Sequence, residues 1–239
     1  MRELKEKRIW KTYIWIEIVI FLVMIYTMVM MDHTVYDRIQ FVLIAINFTL
    51  MVYFLKRYNS EISGFHEYAI SAALTMTLIA DVFTCLIPEQ YVIGVIAFCI
   101  VQTIYMIYLG VNLVNLLSRV ILYIVLFIVF KPDELFMYFG CYSMANLVVN
   151  VVTVWRRYAT LKKANAHPIA VQEILIFAIG ISCFLGCDSS IAIRGMIDSQ
   201  SVAYLLINLL AWIFYTPSQI LINTSRFISY PNLSFKRRA

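Results

Sequence analysis

Residues 91–130 read YVIGVIAFCIVQTIYMIYLGVNLVNLLSRVILYIVLFIVF, and Arg119 is the one charged side chain in that stretch. A helix that crosses the hydrocarbon core of a bilayer needs about 20 mostly apolar residues. The stretch therefore holds two spans, Tyr91–Leu109 and Leu113–Phe130, parted at Gly110. The pattern continues in both directions, with apolar runs at Trp10–Met31, Ile39–Leu55, Glu67–Ile87, Glu134–Val154, Ala170–Ile193 and Ser201–Thr224. Loop punctuators separate them: Asp32-His33, Asn59-Ser60, Pro88-Glu89, Lys131-Pro132 and His167-Pro168. The expectation is an all-α polytopic membrane bundle of eight transmembrane helices, one integral membrane domain over residues 1–239. The connection before Tyr91 is so short that its two neighbours form a tight hairpin.

Composition agrees. The chain is 62% hydrophobic and 14% charged, with a mean hydropathy of +0.83. Soluble proteins carry roughly 25% charged residues, so lipid must be the main solvent. Met1 to Lys11 is basic, and Val29-Met30-Met31-Asp32 offers no small-residue cleavage site, so the first run reads as a retained helix. Lysine and arginine set the direction. Arg2, Lys5, Lys7, Arg8, Lys11, Lys56, Arg57, Arg156, Arg157, Lys162, Lys163, Arg226, Lys236, Arg237 and Arg238 fall on one side, against Arg38, Lys131 and Arg194 on the other. The positive-inside rule then puts both termini in the cytoplasm. The net charge of +5 reflects topology and anionic headgroups, with no nucleic-acid signal.

Ionisable side chains are costly in lipid and point to function by default. Within the runs they are Glu17, Asp81, Arg119, Glu173 and Asp188. Glu17 and Glu173 lie within about two turns of a cytoplasmic end. Arg119, a turn and a half in, has a stem long enough to snorkel. Asp81 and Asp188 lie deeper. Asp81 precedes Pro88 by seven residues and Asp188 precedes Asp198 by ten, roughly 10 and 15 Å from the outer ends of runs that both lead outward. Similar depth on parallel helices would let them face one cavity.

Other polar residues recur at helical spacing. Thr77, Asp81, Thr84 and Cys85 form one stripe, Gln102 and Tyr105 a second, Tyr142, Asn146, Asn150 and Thr153 a third, Asn208, Tyr215 and Gln219 a fourth. Singly, each reads as an interhelical hydrogen bond. Together with two carboxylates they point to a polar interior. The five cysteines all fall in apolar runs and read as packing residues. His33, His66 and His167 are in or beside loops, so a metal site of histidines is not expected. No run holds a lysine for a Schiff base, and no nucleotide-binding or GxSxG motif is present. No cofactor is expected.

The segment Leu78-Ile79-Ala80-Asp81-Val82-Phe83-Thr84-Cys85-Leu86-Ile87-Pro88, followed by Gly94-Val95-Ile96-Ala97-Phe98 and Gln102-Thr103-Ile104-Tyr105, resembles the YhhN family of lysoplasmalogenases. Phe184-Leu185-Gly186-Cys187-Asp188 is similar to the family's second Asp motif, and Tyr215-Thr216-Pro217-Ser218-Gln219 to its last-helix Tyr-x-x-x-Gln. Ala80 stands where the family usually has Gly and Gln102 where His is common; Asp37-Arg38-Ile39-Gln40 replaces its usual Lys-Pro pair.

The resemblance implies hydrolysis of the vinyl-ether bond of a lysoplasmalogen, a lysophospholipid substrate held in the bilayer. That bond is stable to base and labile to acid, so the enzyme needs a proton donor and a negative group for the resulting cation. Two carboxyls in different environments can divide those roles, which makes Asp81 and Asp188 the catalytic candidates. Gln102, Tyr105, Asn146, Asn150, Tyr215 and Gln219 are candidates for orienting the substrate. Two rivals stand beside this reading. A proton-coupled transporter also uses intramembrane carboxylates, although paired Gly/Pro breaks in the spans are missing. A lipid-binding sensor would keep the fold and lose the chemistry.

Overall fold

The computed structural model describes residues 2–30, 65–198 and 201–236. Among them are seven α-helices and no strand: α1 (Arg2–Met30), α2 (Phe65–Asp81), α3 (Tyr91–Leu109), α4 (Leu113–Phe130), α5 (Leu135–Lys163), α6 (Pro168–Arg194) and α7 (Val202–Lys236). A π-helical turn, Val82–Leu86, continues α2, and a 3₁₀ turn, Pro88–Gln90, leads into α3. Six segments are long and apolar enough to cross a membrane: Tyr68–Leu86, Tyr91–Leu109, Leu113–Phe130, Leu135–Lys163, Pro168–Arg194 and Val202–Ser225. The apolar part of α1, Ile14–Thr27, is shorter. The run expected at Ile39–Leu55 lies outside the described residues.

Helix ends follow local chemistry. Asn112 caps α4, its side chain accepting from Asn115 N at 2.8 Å, which satisfies one of the free amides of a first turn. His167 does the same for α6 through Ile169 N at 3.4 Å, with Pro168 in the first turn, where its missing N–H costs nothing. Gly110 ends α3 at φ 91°, a conformation that L side chains rarely adopt. Two helices overrun the C-terminal ends of their apolar runs. α5 continues past Val154 to Lys163, ending on Lys162 and Lys163, which suit the negative end of a helix. α7 passes through Pro217 and Pro231 to Lys236.

Burial is inverted relative to a soluble protein, most clearly in α4. Its buried residues are Asn115 and Arg119. Leu113, Val114, Leu117, Ile121, Ile128 and Val129 are all exposed. Water would penalise that arrangement, whereas hydrocarbon favours it. The chain is a multi-pass integral membrane protein.

The chain divides into two compact units, residues 31–153 and residues 1–30 with 154–239, and the boundary falls within α5. In the 31–153 unit, Phe127 meets Tyr138, Tyr123 meets Tyr142, and Arg119 reaches Asn146 and Asn150. Numbers fall along α4 as they rise along α5, so these two helices are antiparallel. Tyr91 meets Phe136, Cys99 Sγ bonds Phe139 O, and Asn150 bonds Gln102. Here numbers rise together, so α3 and α5 are parallel. The three helices thus alternate in direction, as consecutive crossings must. In the other unit, α6 and α7 pack antiparallel, with Gly180 against Ile222, Gly186 against Phe214 and Arg194 bonded to Asn208. α1 packs on α7.

Candidate functional site

Asp81 is the last α-helical residue of α2 and is buried, with 8% of its surface exposed. The π-helical turn begins at the next residue, and such turns inside helices are frequent at functional sites. The turn is held in place from α3. A Cβ added at Gly94 would come within 2.5 Å of Thr84 Cγ2 and 2.9 Å of the Ala80 carbonyl. Only a glycine lets the α3 backbone approach the chain on both sides of Asp81. The Gly-x-x-Ala-Phe pattern thus has a steric cause, and Ala97 beside it is buried as well.

The expected stripe on α2 is changed by this turn. Thr77 Oγ1 donates to Ala73 O at 2.9 Å, and Thr84 Oγ1 to Ala80 O at 3.0 Å. Both hydroxyls are satisfied within their own helix, and the π turn moves Thr84 and Cys85 out of α-helical register with Thr77 and Asp81. Asp81 is the carboxyl of that stripe.

A second cluster joins α3, α4 and α5 through side chains. Arg119 is 5% exposed, Asn146 2%, Asn150 and Gln102 fully buried. Arg119 Nη1 donates to Asn146 Oδ1 at 2.8 Å and to Asn146 O at 3.1 Å, and Nη2 donates to Asn150 Oδ1 at 2.8 Å. Asn150 Nδ2 then donates to Gln102 O at 3.0 Å and to Gln102 Oε1 at 3.2 Å. Asn146 Nδ2 donates to Tyr142 O at 2.9 Å. Each asparagine turns its oxygen to the cation and its NH₂ elsewhere, the one assignment consistent with a donor-only guanidinium. Tyr105, on the same helix as Gln102, is fully buried.

Arg119 does not snorkel. Its fork is fixed among neutral amides, because two asparagines one turn apart on α5 present acceptors at the spacing of its two terminal nitrogens. The sequence signal was available: the one charge within 91–130, with an Asn-x-x-x-Asn stripe on the next helix. Tyr142, at the edge of that stripe, is exposed and pairs with Thr103 Oγ1 at 3.3 Å.

The remaining candidates lie in the other unit. Asp188 is half-buried on α6, two residues after Gly186, whose absent side chain admits the Phe214 ring of α7. On α7, Tyr215 is half-buried with its ring edge-on to Trp212 at 5.5 Å, Ser218 is fully buried and Gln219 nearly so. Ser218 Oγ and Gln219 Nε2 have no hydrogen-bond partner among the described residues. Asn208, the outer member of that stripe, is taken up by Arg194, which also lies over the Tyr204 ring at 5.8 Å. The candidates therefore fall into two groups: Asp81, Gln102, Tyr105, Asn146 and Asn150 in one unit, and Asp188, Tyr215 and Gln219 in the other. Among the described residues no group of histidine, cysteine and carboxylate side chains is placed to hold a metal ion.

No curated protein and no solved structure matches the chain significantly. The sequence model of the YhhN family matches residues 39–226, which takes in every group just described. With most of its length matched and the glycine-packed aspartate turn in place, the chain belongs to the YhhN family.

Proposed function

We propose that the protein is a membrane lipid hydrolase of the lysoplasmalogenase type, cleaving the vinyl ether of a lysophospholipid to a fatty aldehyde and a glycerophospho-alcohol. The observation that carries this reading is Asp81: a buried carboxyl at a π-helical break, braced by Gly94, within a chain of the YhhN family. The proposed topology has eight spans, Ile39–Leu55 being one of them, with both termini cytoplasmic as the lysine and arginine distribution requires.

The reaction needs a proton, a counter-charge and water. One of Asp81 and Asp188 delivers a proton to the alkene carbon, and the vinyl-ether electrons move to form an oxocarbenium ion. The other, ionised, lies against that cation and then takes a proton from the attacking water. The hemiacetal so formed collapses to aldehyde and alcohol, and the proton balance closes without a cofactor. Gln102, Tyr105, Asn146, Asn150, Tyr215 and Gln219 hold the headgroup and the carboxyls in register, while the hydrocarbon chain lies in the lipid. A lipid-binding relative without turnover is the second reading. It draws on Gln102, an amide that can serve as neither acid nor base where the family commonly has His.

The test is aldehyde release by the purified chain from lysoplasmenyl-ethanolamine and lysoplasmenyl-choline, with Asp81→Asn and Asp188→Asn alongside. Release by the native chain and its loss in both variants supports the enzyme. Folded protein that binds both lipids and releases no aldehyde would turn the assignment to the binding relative. Proton flux in vesicles without lipid consumption would favour transport.

A further inference from the structure

The Arg119 cluster has more donors than acceptors. The guanidinium is charged at any physiological pH and is almost wholly buried, yet its hydrogen bonds go to neutral groups, the Asn146 carbonyl and the two asparagine side chains. Among the described residues no carboxylate bonds it. Two further buried N–H groups of the cluster, Arg119 Nε and Gln102 Nε2, have no acceptor among the described residues. Ser143 Oγ is likewise buried without a partner, one helical turn from Asn146 on α5. A cation removed from water without a counter-charge costs several kcal/mol, and each unmet buried donor adds to that cost. Unmet donors beside a buried cation, with a further unmet hydroxyl one turn away on α5, call for an anion with several acceptor oxygens.

We infer that Arg119, Gln102 and Ser143 form a binding site for the phosphate of a lysophospholipid headgroup, which brings Arg119 and Ser143, unused in the aspartate chemistry, to the headgroup beside Gln102. Arginine matches phosphate through its planar fork. Nη1 and Nη2 are anchored on the asparagines, which leaves the Nε edge and the Gln102 amide for the ligand. Asn146 and Asn150 are then positioning residues: both fix the fork, and Asn150 turns Gln102 through its Oε1, so that its Nε2 remains to donate. Location favours a lipid over a soluble anion. Arg119 is six residues into α4, about 9 Å from its start, within a helix whose other faces meet hydrocarbon. Gln102 lies eight residues along α3 from Gly94, about 12 Å from the aspartate turn, on the scale of a glycerophospho group. The choice of ligand rests on the lysophospholipid reading above, while the need for an anion follows from the cluster itself.

The experiment measures binding without turnover. The purified full chain in neutral detergent is titrated with 1-acyl lysophosphatidylethanolamine, which lacks the vinyl ether, and with 1-monoacylglycerol of the same chain, which lacks the phosphate. Arg119→Gln is expected to weaken the lysophospholipid at least about tenfold, the effect of one charge-assisted hydrogen bond of about 1.5 kcal/mol, and to leave the monoacylglycerol within about twofold. Gln102→Glu keeps the oxygen that Asn150 bonds and places a carboxylate beside Arg119 where the anion would sit. It is expected to retain the fold, judged by gel filtration and circular dichroism, and to show the same selective loss. Equal weakening of both ligands in the two variants, or no weakening of the lysophospholipid in either, would overturn the proposal. Competition by inorganic phosphate as strong as by the lysophospholipid would reassign the site to a free oxyanion and overturn the headgroup assignment. Selective phosphate-dependent binding in a chain that releases no aldehyde would sink the hydrolase reading and leave this site standing.

Discussion

Around Arg119 three helices are joined by a network of hydrogen bonds from guanidinium and amide groups, whereas α6 and α7, which carry Asp188 and Gln219, are joined mainly by contact, with the Arg194–Asn208 bond between them. Gly180 and Gly186 let the two backbones close until Ile222 and the Phe214 ring fill the space of a missing methyl. In lipid both devices are needed, because hydrophobic burial no longer favours one helix face over another and packing or polar bonds must do so. The difference teaches where change is tolerated. A polar network is stiff and fails when one member is removed. A small-residue seam fails only when a side chain is added.

The largest expected effect tests whether the two regions serve one reaction. Asp81→Asn and Asp188→Asn should each lower aldehyde release by about 10²- to 10⁴-fold, the usual contribution of a general acid or base. Two carboxyls acting in one step are not additive, so the double variant should fall no further than the worse single. Multiplication of the two losses in single-turnover assays would break the idea of a shared site.

Next in size is the removal of one link in the polar network. Asn150→Leu leaves Arg119 Nη2 without its acceptor, at the cost of a hydrogen bond to a charged group, about 1.5–3 kcal/mol. Ser182→Ala, on the other side of the comparison, removes the partner of Trp155 Nε1, a 3.0 Å bond at an exposed tryptophan, and should cost about 0.6 kcal/mol or less. Thermal unfolding of both variants in the same detergent would sharpen the contrast if the order holds. A larger shift for Ser182→Ala would reverse it.

Much of this was legible in the sequence because lipid leaves a coarse signature. Six of the eight apolar runs reappear as helices long enough to cross, and both aspartates and the Asn146–Asn150 stripe were visible as polar residues at helical spacing. Three features were not. The π turn after Asp81 has no periodicity of its own, and Gly94 explains it only once α3 is known to pack there. Arg119 reads as a snorkelling cation from its position alone. Its burial follows from which face of α4 meets α5, and that is set by partners 27 and 31 residues away. The assignment of Asp81 and Asp188 to different units depends on contacts that helix spacing does not encode.

Glycine substitutions separate the regions at smaller scale. Gly94→Ala places a methyl 2.5 Å from Thr84 Cγ2 and 2.9 Å from a backbone carbonyl that cannot yield by rotating a side chain. Overpacking of that kind costs about 1–3 kcal/mol. Because the turn carries Asp81, turnover should fall with stability. Gly186→Ala meets the Phe214 ring at 2.9 Å, and a ring can tilt, so its cost should lie at the lower end of that range. Equal losses in the two variants would mean that the α2–α3 contact yields as readily as the α6–α7 seam.

The smallest effect has the opposite sign. Gly140 lies within α5, and a Cβ built on it meets nothing within 4 Å. Gly140→Ala therefore adds no contact to either region and changes only the backbone: alanine has fewer unfolded conformations to lose and a helix propensity better by about 0.8–1 kcal/mol. The variant should raise the unfolding midpoint slightly and leave aldehyde release and lysophospholipid binding unchanged. A fall in stability would show that the face of α5 bearing Gly140 is occupied in the membrane by another helix.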